Sequence, residues 1–343
     1  MTEKINELMD KVRGVFIGGA LGDALGAPHE FRYHKDNKYT GILHHRFKFN
    51  AMYQATRYLV PGQTTDDTEM SLTLAHSMIR NNGYDRNDVI MSYERWANNS
   101  PLLGINTRTL FKGVKTIKGY EKRYNKLFST PESIYDNQSN GSMMRCFPLA
   151  FLWDNEVIVT DCKITNPSPV NIDANLVYIN AIRLAILGYD RITIFNHVKE
   201  IATTAEVKNV LIEITDKKER NIKGKTKGWV LHTFYCAMWS LLYTTSYQEG
   251  IDYIVLLGGD TDTTAAISGA LLGALFGYTT MFDEERTKYN MEILLTADTS
   301  EGDIPRPTEY TLGPIDSFIA LTNDFYTKFA YPNLANKMLA NKR

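Results

Sequence analysis

The stretch GVFIGGALGDALG, residues 14–26, decides the fold of this chain. Its glycines recur every four residues, at Gly14, Gly18, Gly22 and Gly26. This spacing keeps small residues on one face of an α-helix, where a second backbone can approach closely. The same spacing recurs near the other end of the chain, at Gly269, Gly273 and Gly277. We therefore predict that two glycine-faced helices meet, directly or around a central element. Because no strand precedes them, the first glycines are not a dinucleotide-binding fingerprint.

Helical periodicity extends outward from this stretch over most of the chain. Apolar spacing predicts helices over 4–27, 66–80, 84–96, 141–153, 172–187, 229–243, 263–276, 284–295 and 315–339. Strand patterns are weak, since the β-branched runs 157–159 and 192–194 are short and nothing pairs them. We expect an all-α fold, a compact multi-helix bundle that forms a single domain over residues 1–343.

The composition argues against several classes of protein. The 343 residues are 43% hydrophobic and 22% charged, and the formal net charge is −1. Such a chain has no global field to attract nucleic acid or an anionic membrane, so we expect neither as a partner. The uncharged segment 263–281 is rich in Gly and Thr, which favours a buried core helix over a membrane span. Three widely spaced cysteines and an N-terminus unlike a signal peptide predict a cytoplasmic protein, which we expect to be a monomer.

Two segments lack helical periodicity. Residues 32–63 form a long, aromatic-rich stretch, and a loop of this length in a compact domain is often a functional lid. Residues 208–228 carry seven Lys or Arg with three acidic residues among them. Because the charges are mixed, we expect a solvated surface loop there rather than a nucleic-acid site.

Two acidic clusters open two of the predicted helices. They are TDD at residues 65–67 and DTDT at residues 260–263. One helix N-cap needs one such residue, so capping leaves a carboxylate of each cluster unexplained. Four carboxylates suffice for two hard cations about 3.5–4 Å apart. The seven histidines show no zinc spacing beside these acids, which favours Mg²⁺ or Mn²⁺ over Zn²⁺. Spacing alone leaves capping and metal binding open.

Five motifs in order give the sequence a resemblance to a known family. They are GGALGDALG at 18–26, EF at 30–31, TDDTEM at 65–70, NGSMMR at 140–145 and GGDTDT at 258–263. In order and rough spacing they resemble the ADP-ribosylglycohydrolase family, and the resemblance runs from residue 12 to residue 280. It implies that family's orthogonal multi-helix bundle, with two Mg²⁺ or Mn²⁺ ions at the base of a cleft.

The resemblance also implies roles for individual residues. Metal ligands are expected, with one aspartate bridging the two ions, at Thr65, Asp66, Asp67, Asp260, Asp262 and Thr263. Catalytic roles are expected for Glu30, which matches a residue on the family's mobile flap, and for Asp66 and Asp260. The loop that holds the distal ribose and diphosphate of the substrate is matched by Asn140, Gly141, Ser142 and Met143.

Three further positions carry expectations of their own. Asp23 lies on the glycine-rich helix, where we expect it to support the metal loops by hydrogen bonding rather than to bind metal. Arg145 has two interpretations, a phosphate contact or a buried ion pair. Asn166 stands where family members often have the histidine of a Thr-His pair. Whether this asparagine changes the substrate preference or the reaction rate is left open.

The function that the resemblance implies is hydrolysis of the N-glycosidic bond between ADP-ribose and a modified protein side chain. Arginine is the favoured linkage, because Pro61-Gly62 precedes the TDDTEMSL stretch as in the arginine-acting members. Water activated at the metals, with a carboxylate such as Glu30 or Asp260 as base, would release free ADP-ribose. Three alternatives stay open: another ADP-ribose conjugate (serine-linked or poly-ADP-ribose), a non-catalytic ADP-ribose-binding relative, and a metal phosphohydrolase that would release AMP.

Overall fold

Helices dominate the computed structural model, which describes residues 2–30, 39–43, 47–50, 56–222 and 228–340. In the first half of the chain they are α1 (Thr2–Gly26), α2 (Asp66–Asn81), α3 (Arg86–Asn99), α4 (Ile105–Phe111), α5 (Ile117–Leu127), α6 (Pro131–Tyr135) and α7 (Asn155–Thr165). In the second half they are α8 (Pro169–Ile186), α9 (Arg191–Ile201), α10 (Ala205–Thr215), α11 (Val230–Tyr243), α12 (Tyr247–Leu257), α13 (Thr261–Phe276), α14 (Tyr278–Asp283), α15 (Glu285–Thr296), α16 (Ile315–Phe325) and α17 (Tyr331–Ala340). The all-α fold class is confirmed.

The two glycine-faced helices, α1 and α13, pack directly against each other. A Cβ on Gly18 would clash with the carbonyl oxygen of Gly269, and a Cβ on Gly14 would clash with that of Gly273. The same is true of Gly22 against the backbone of α13. Because neither helix carries side chains at these points, the backbones approach as the four-residue spacing predicts. This contact brings the N-terminal and C-terminal parts of the chain together.

Helix α13 lies at the centre of the hydrophobic core. It packs against α1, α8, α11 and α12, and it is buried from residue 261 to residue 274. The core also includes Leu8 near the start of the chain and Leu334 near its end. The uncharged segment is therefore a core helix, as predicted. Among the described residues, no helix is long and apolar enough to cross a membrane.

Several local predictions were wrong. Residues 141–153 do not form an α-helix but two short 3₁₀ helices, Asn140–Ser142 and Phe147–Phe151, separated by turns. By contrast, the β-branched runs 157–159 and 192–194 lie within the helices α7 and α9, in agreement with the weak strand patterns there. The charged segment predicted as a loop over 208–228 begins inside α10. Helices α4 to α7, α9, α10, α12 and α14 had no predicted counterpart.

The segment predicted as a lid contains a two-stranded antiparallel hairpin. Strand β1 (Phe47–Asn50) pairs with β2 (Thr56–Leu59) in the register Phe47 to Leu59. Tyr39 is anchored by a 2.7 Å hydrogen bond from its hydroxyl to Asp252 on α12. Tyr33 and Tyr53 lie outside the described residues, so the lid stays a prediction.

Candidate metal centre

The first acidic cluster is held by Asp23, a fully buried residue near the end of α1. The Asp23 carboxylate accepts hydrogen bonds from the backbone N–H of Thr65, at 3.0 Å, and of Thr68, at 3.1 Å. It also accepts from the hydroxyls of Thr65 and Thr68, at 2.8 and 2.6 Å. These bonds satisfy two of the free N–H groups at the start of α2. Asp23 therefore has the supporting position predicted for it, and Thr65, the N-cap residue, makes no capping bond of its own.

With the cap supplied by Asp23, the aspartates of the first cluster are not needed for capping. The Thr65 hydroxyl contacts Oδ2 of Asp67 at 3.0 Å. Asp67 is buried, and its Oδ1 has no hydrogen-bond partner among the described residues. An ionised oxygen buried without a donor is costly. A cation is the partner that would offset this cost, so this atom is an observation in favour of a metal ion.

The second acidic cluster lies at the start of α13. Gly258 and Gly259 both have left-handed φ angles, +76° and +88°, so the chain turns sharply before Asp260. The Thr261 hydroxyl donates to the carbonyl of Gly26 at 2.8 Å, which ties this turn to the end of α1. The backbone N–H of Thr263 donates to Oδ1 of Asp262 at 2.9 Å.

Glu30 joins this second cluster from the residue after the 3₁₀ turn Ala27–His29. Carboxylate oxygens of Glu30, Asp260 and Asp262 all lie within 4.8 Å of one another. Three carboxylates at that separation form a donor set of the kind that Mg²⁺ and Mn²⁺ prefer. The structure thus brings the predicted catalytic glutamate to two of the predicted metal ligands.

The carboxylates of the two clusters also influence one another's pKa, although the group within 4.8 Å contains neither Asp66 nor Asp67. The pKa of Asp66 is raised to about 7, first by loss of hydration and then by repulsion from Asp23, with a further contribution from Asp260. Burial is also the main cause of the raised pKa of Asp67, to which Asp23, Asp66 and Asp260 add. Burial raises the pKa of Asp262 as well, followed by the charges of Glu30 and Asp260. Carboxylates that repel one another in a buried space fit a site completed by cations.

The predicted substrate loop differs from the expectation. Ser142 and Met143 have fully buried side chains, and the N–H of Met143 donates to the carbonyl of Asn140 at 2.9 Å. The Asn140 side chain donates to Oδ2 of Asp260 at 2.8 Å. Because residues 140–142 form a three-residue 3₁₀ turn rather than the start of an α-helix, the loop has no long helix dipole. Contact with a substrate through this loop stays a prediction.

Arg145 and Asn166 both support this loop from within. Arg145 forms a fully buried ion pair with Asp161 at 3.2 Å and donates to the Gly141 carbonyl at 2.7 Å, which decides between its two interpretations. Asn166 is fully buried and donates to Oδ1 of Asn137 at 2.6 Å and to Oγ of Ser139 at 2.9 Å. In place of the family's histidine, this chain has an amide that orders the residues leading into Asn140.

Sequence reasoning missed the partners of this loop. Gly228 accepts a 3.0 Å hydrogen bond from the N–H of Asn140, and a Cβ on Gly228 would lie 3.5 Å from Oδ2 of Asp260. Thr233 on α11 accepts from Nδ2 of Asn140 at 3.1 Å. Gly228 ends the segment predicted as a solvated loop. No local pattern marks these residues, since their partners are about a hundred positions away in the chain.

Comparisons with known proteins agree with this geometry. A profile of the ADP-ribosylglycohydrolase family matches residues 4–294. The chain is 26% identical over 274 residues to the ADP-ribosyl-(dinitrogen reductase) glycohydrolase of Rhodospirillum rubrum. That alignment covers 78% of this chain and 86% of the relative. It is 27% identical over 294 residues to the ADP-ribosylarginine hydrolase Tri1 of Serratia proteamaculans. This second alignment covers 80% of this chain and 73% of the relative.

A solved structure shows the same fold. The ADP-ribosylglycohydrolase-related protein complex matches with a TM-score of 0.62 at 22% identity, over 84% of this chain and 98% of that chain. The family match spans α1 to α15 and therefore includes both acidic clusters and the glycine contact. This chain is an enzyme of the ADP-ribosylglycohydrolase family, whose members hydrolyse ADP-ribose conjugates.

Proposed function

We propose that this enzyme is a hydrolase with two divalent cations that cleaves the N-glycosidic bond between ADP-ribose and a modified arginine side chain of a protein. The observation that carries the proposal is the convergence of Glu30, Asp260 and Asp262 within 4.8 Å. The products would be free ADP-ribose and the unmodified side chain.

Two Mg²⁺ ions, or Mn²⁺ in their place, fit the donors of the two clusters. The residues that would hold them are Thr65, Asp66, Asp67, Asp260, Asp262 and Thr263. The oxygen donors and the unpartnered Oδ1 of Asp67 support this assignment. When bound, such ions supply Lewis acidity and lower the pKa of water, which provides a nucleophile near neutral pH.

The protein's own side chains would hold the reacting groups and move the protons. Glu30 is partly exposed and lies beside Asp260 and Asp262, so it is placed to accept a proton from attacking water. Asp66 would bind metal as the ionised carboxylate, because a cation beside it offsets the burial and the repulsion that raise its pKa in the metal-free site. Asp23 keeps Thr65 and the start of α2 in place while charge develops at C1 of the ribose.

Two relatives support the arginine linkage. One is named an ADP-ribosylarginine hydrolase, and another is named for dinitrogen reductase as the modified protein. The ADP-ribosylhydrolase ARH3 of Xenopus tropicalis is also similar, at 23% identity over 319 residues. Because that name specifies no arginine linkage, other ADP-ribose conjugates (serine-linked or poly-ADP-ribose) form the second candidate.

The experiment is product analysis with an arginine-ADP-ribosylated and a serine-ADP-ribosylated protein, each with Mg²⁺ and with EDTA. We expect free ADP-ribose from the arginine substrate, only with metal, and its loss in Asp260→Asn. Asp316→Asn, an exposed change on α16, is the matched control and keeps activity.

Each other product would contradict a different part of the proposal. Release from serine alone would overturn the arginine linkage. AMP as the product would indicate cleavage of the diphosphate. Binding of ADP-ribose without release from either substrate would indicate a non-catalytic relative.

A further inference from the structure

Both protons of the Asn140 side-chain NH₂ group are donated to protein groups. Its Nδ2 donates to Oδ2 of Asp260 at 2.8 Å and to Oγ1 of Thr233 at 3.1 Å. An amide NH₂ group has two protons, so these bonds use both of them. The Asn140 amide must point its nitrogen at Asp260, because the reverse orientation would put the amide oxygen against a carboxylate oxygen. Asn140 therefore has no side-chain donor left for a ligand.

The carboxylate of Asp260 is not held by the helix that it begins. It follows Gly258 and Gly259, two residues without side chains and with left-handed φ angles of +76° and +88°. Although Asp260 is the N-cap residue of α13, its side chain makes no capping hydrogen bond. The helix that Asp260 begins thus does not orient the carboxylate, whereas the Asn140 amide contacts one of its oxygens.

Asn140 is itself held rigidly on the start of α11. Its N–H donates to the carbonyl of Gly228 at 3.0 Å, and the N–H of Val230 donates to the carbonyl of Gln138 at 2.9 Å. Thr233 follows in the first turn of α11. The amide is therefore fixed at its backbone and at its tip, which is what orienting a neighbouring carboxylate requires.

We infer that Asn140 and Thr233 form a positioning pair for Asp260: Thr233 fixes the Asn140 amide, and the amide fixes the carboxylate that binds metal. The inference rests on the proposed function, in which Asp260 is a metal ligand. It assigns to Thr233 an effect on metal affinity although Thr233 reaches the carboxylate only through Asn140. It also leaves the Asn140 side chain only its carbonyl oxygen, a hydrogen-bond acceptor, to offer to a substrate.

The test is the dissociation constant of Mn²⁺ alone, measured by calorimetry on the full chain after treatment with EDTA. Asn140→Ala removes the donor, and we expect Mn²⁺ binding to weaken about 10- to 100-fold, as for other partners of metal ligands. Thr233→Val keeps the side-chain shape and should weaken binding by a smaller factor. The matched control is Thr322→Val, since Thr322 is a fully buried threonine on α16 that bonds its own helix; it should bind Mn²⁺ as the wild type does.

A double variant that combines Asn140→Ala and Thr233→Val tests whether Thr233 acts through Asn140. If Thr233 acts through Asn140, the double variant matches Asn140→Ala within about twofold, the usual error of such cycles. Independent factors that multiply would overturn the inference, and so would wild-type affinity in Asn140→Ala. If Asn140→Ala does not fold, wild-type affinity in a folded Thr233→Val overturns it as well. Absence of Mn²⁺ binding by the wild-type protein would instead show that the proposed metal site is wrong.

Discussion

At the scale of single residues, Asp67 illustrates the conflict between stability and function in this site. It is buried, one of its oxygens has no partner among the described residues, and burial and the neighbouring acids raise its pKa. A raised pKa means that the folded state disfavours the ionised carboxylate, so stability is lost as the pH rises through the folded pKa. Metal-free protein at neutral pH therefore carries a strain that a cation would relieve.

Asp67→Asn removes this charge. In EDTA at neutral pH we expect the variant to be more stable than the wild type, because it removes a buried carboxyl whose ionisation burial and the neighbouring acids disfavour. With saturating Mg²⁺ the order should reverse, because only the wild type gains binding energy, about 2.7 kcal/mol at a hundredfold excess over Kd. Urea unfolding under both conditions checks this. A variant that is less stable in EDTA would contradict the repulsion.

His232 gives a second prediction at this scale. Burial and the Arg220 guanidinium lower its pKa from 6.5 to about 4, and Nδ1 accepts a hydrogen bond from Nε of Arg220 at 3.0 Å. A depressed folded pKa contributes stability that is present above the unfolded pKa of 6.5 and is lost as the pH falls towards 4. Urea unfolding should show a smaller loss between these pH values in His232→Asn than in the wild type.

At the scale of elements, α1 and α13 were predictable because their information is local. Four-residue spacing of glycine is visible within one helix, and its meaning does not depend on distant residues. The acidic clusters were predictable for the same reason. The contact between Asn140 and Asp260 spans 120 positions, and no local pattern encodes it. The helix predicted over 141–153 failed because Pro148 has no N–H to donate and the Arg145 guanidinium donates to the Gly141 carbonyl.

The contact between α1 and α13 predicts opposite effects at adjacent positions. Gly18→Ala should destabilise the protein by about 1–3 kcal/mol or more, because the new methyl group meets the Gly269 backbone, which cannot move freely. Gly19→Ala is the matched control: its nearest neighbours would be 3.5 Å away, an ordinary contact. Alanine in a helix is favoured over glycine by up to about 1 kcal/mol, so Gly19→Ala should be neutral or stabilising. Equal effects on the free energy of unfolding would contradict the direct contact.

At the scale of the whole molecule, buried ion pairs link distant parts of the chain to the site. Arg306 donates from Nε and Nη2 to Glu69 on α2, at 2.6 and 2.7 Å, and both residues are buried. Trp96 on α3 donates to the same carboxylate at 2.6 Å. The segment before α16 is thus tied to the helix that presents Asp66 and Asp67.

Breaking this ion pair should affect global stability. Arg306→Met leaves Glu69 buried with an uncompensated charge, and we expect a loss of about 3–5 kcal/mol in the free energy of unfolding. Adding Glu69→Gln removes the charge and keeps an acceptor for Trp96, so the double variant should regain part of the loss. Urea titrations of the wild type, the two single variants Arg306→Met and Glu69→Gln, and the double variant measure this cycle. A double variant less stable than Arg306→Met would contradict the prediction.

The central claim of a site for two cations is tested most directly by the number of Mn²⁺ ions that one metal-free chain binds. We predict two ions for the wild type and loss of binding in Asp260→Asn, because the Asp260 carboxylate contacts the Asn140 amide and lies within 4.8 Å of Glu30 and Asp262. Asp316→Asn should still bind two. A wild-type chain that binds no Mn²⁺, or an Asp260→Asn variant that binds two ions with wild-type affinity, would contradict the account.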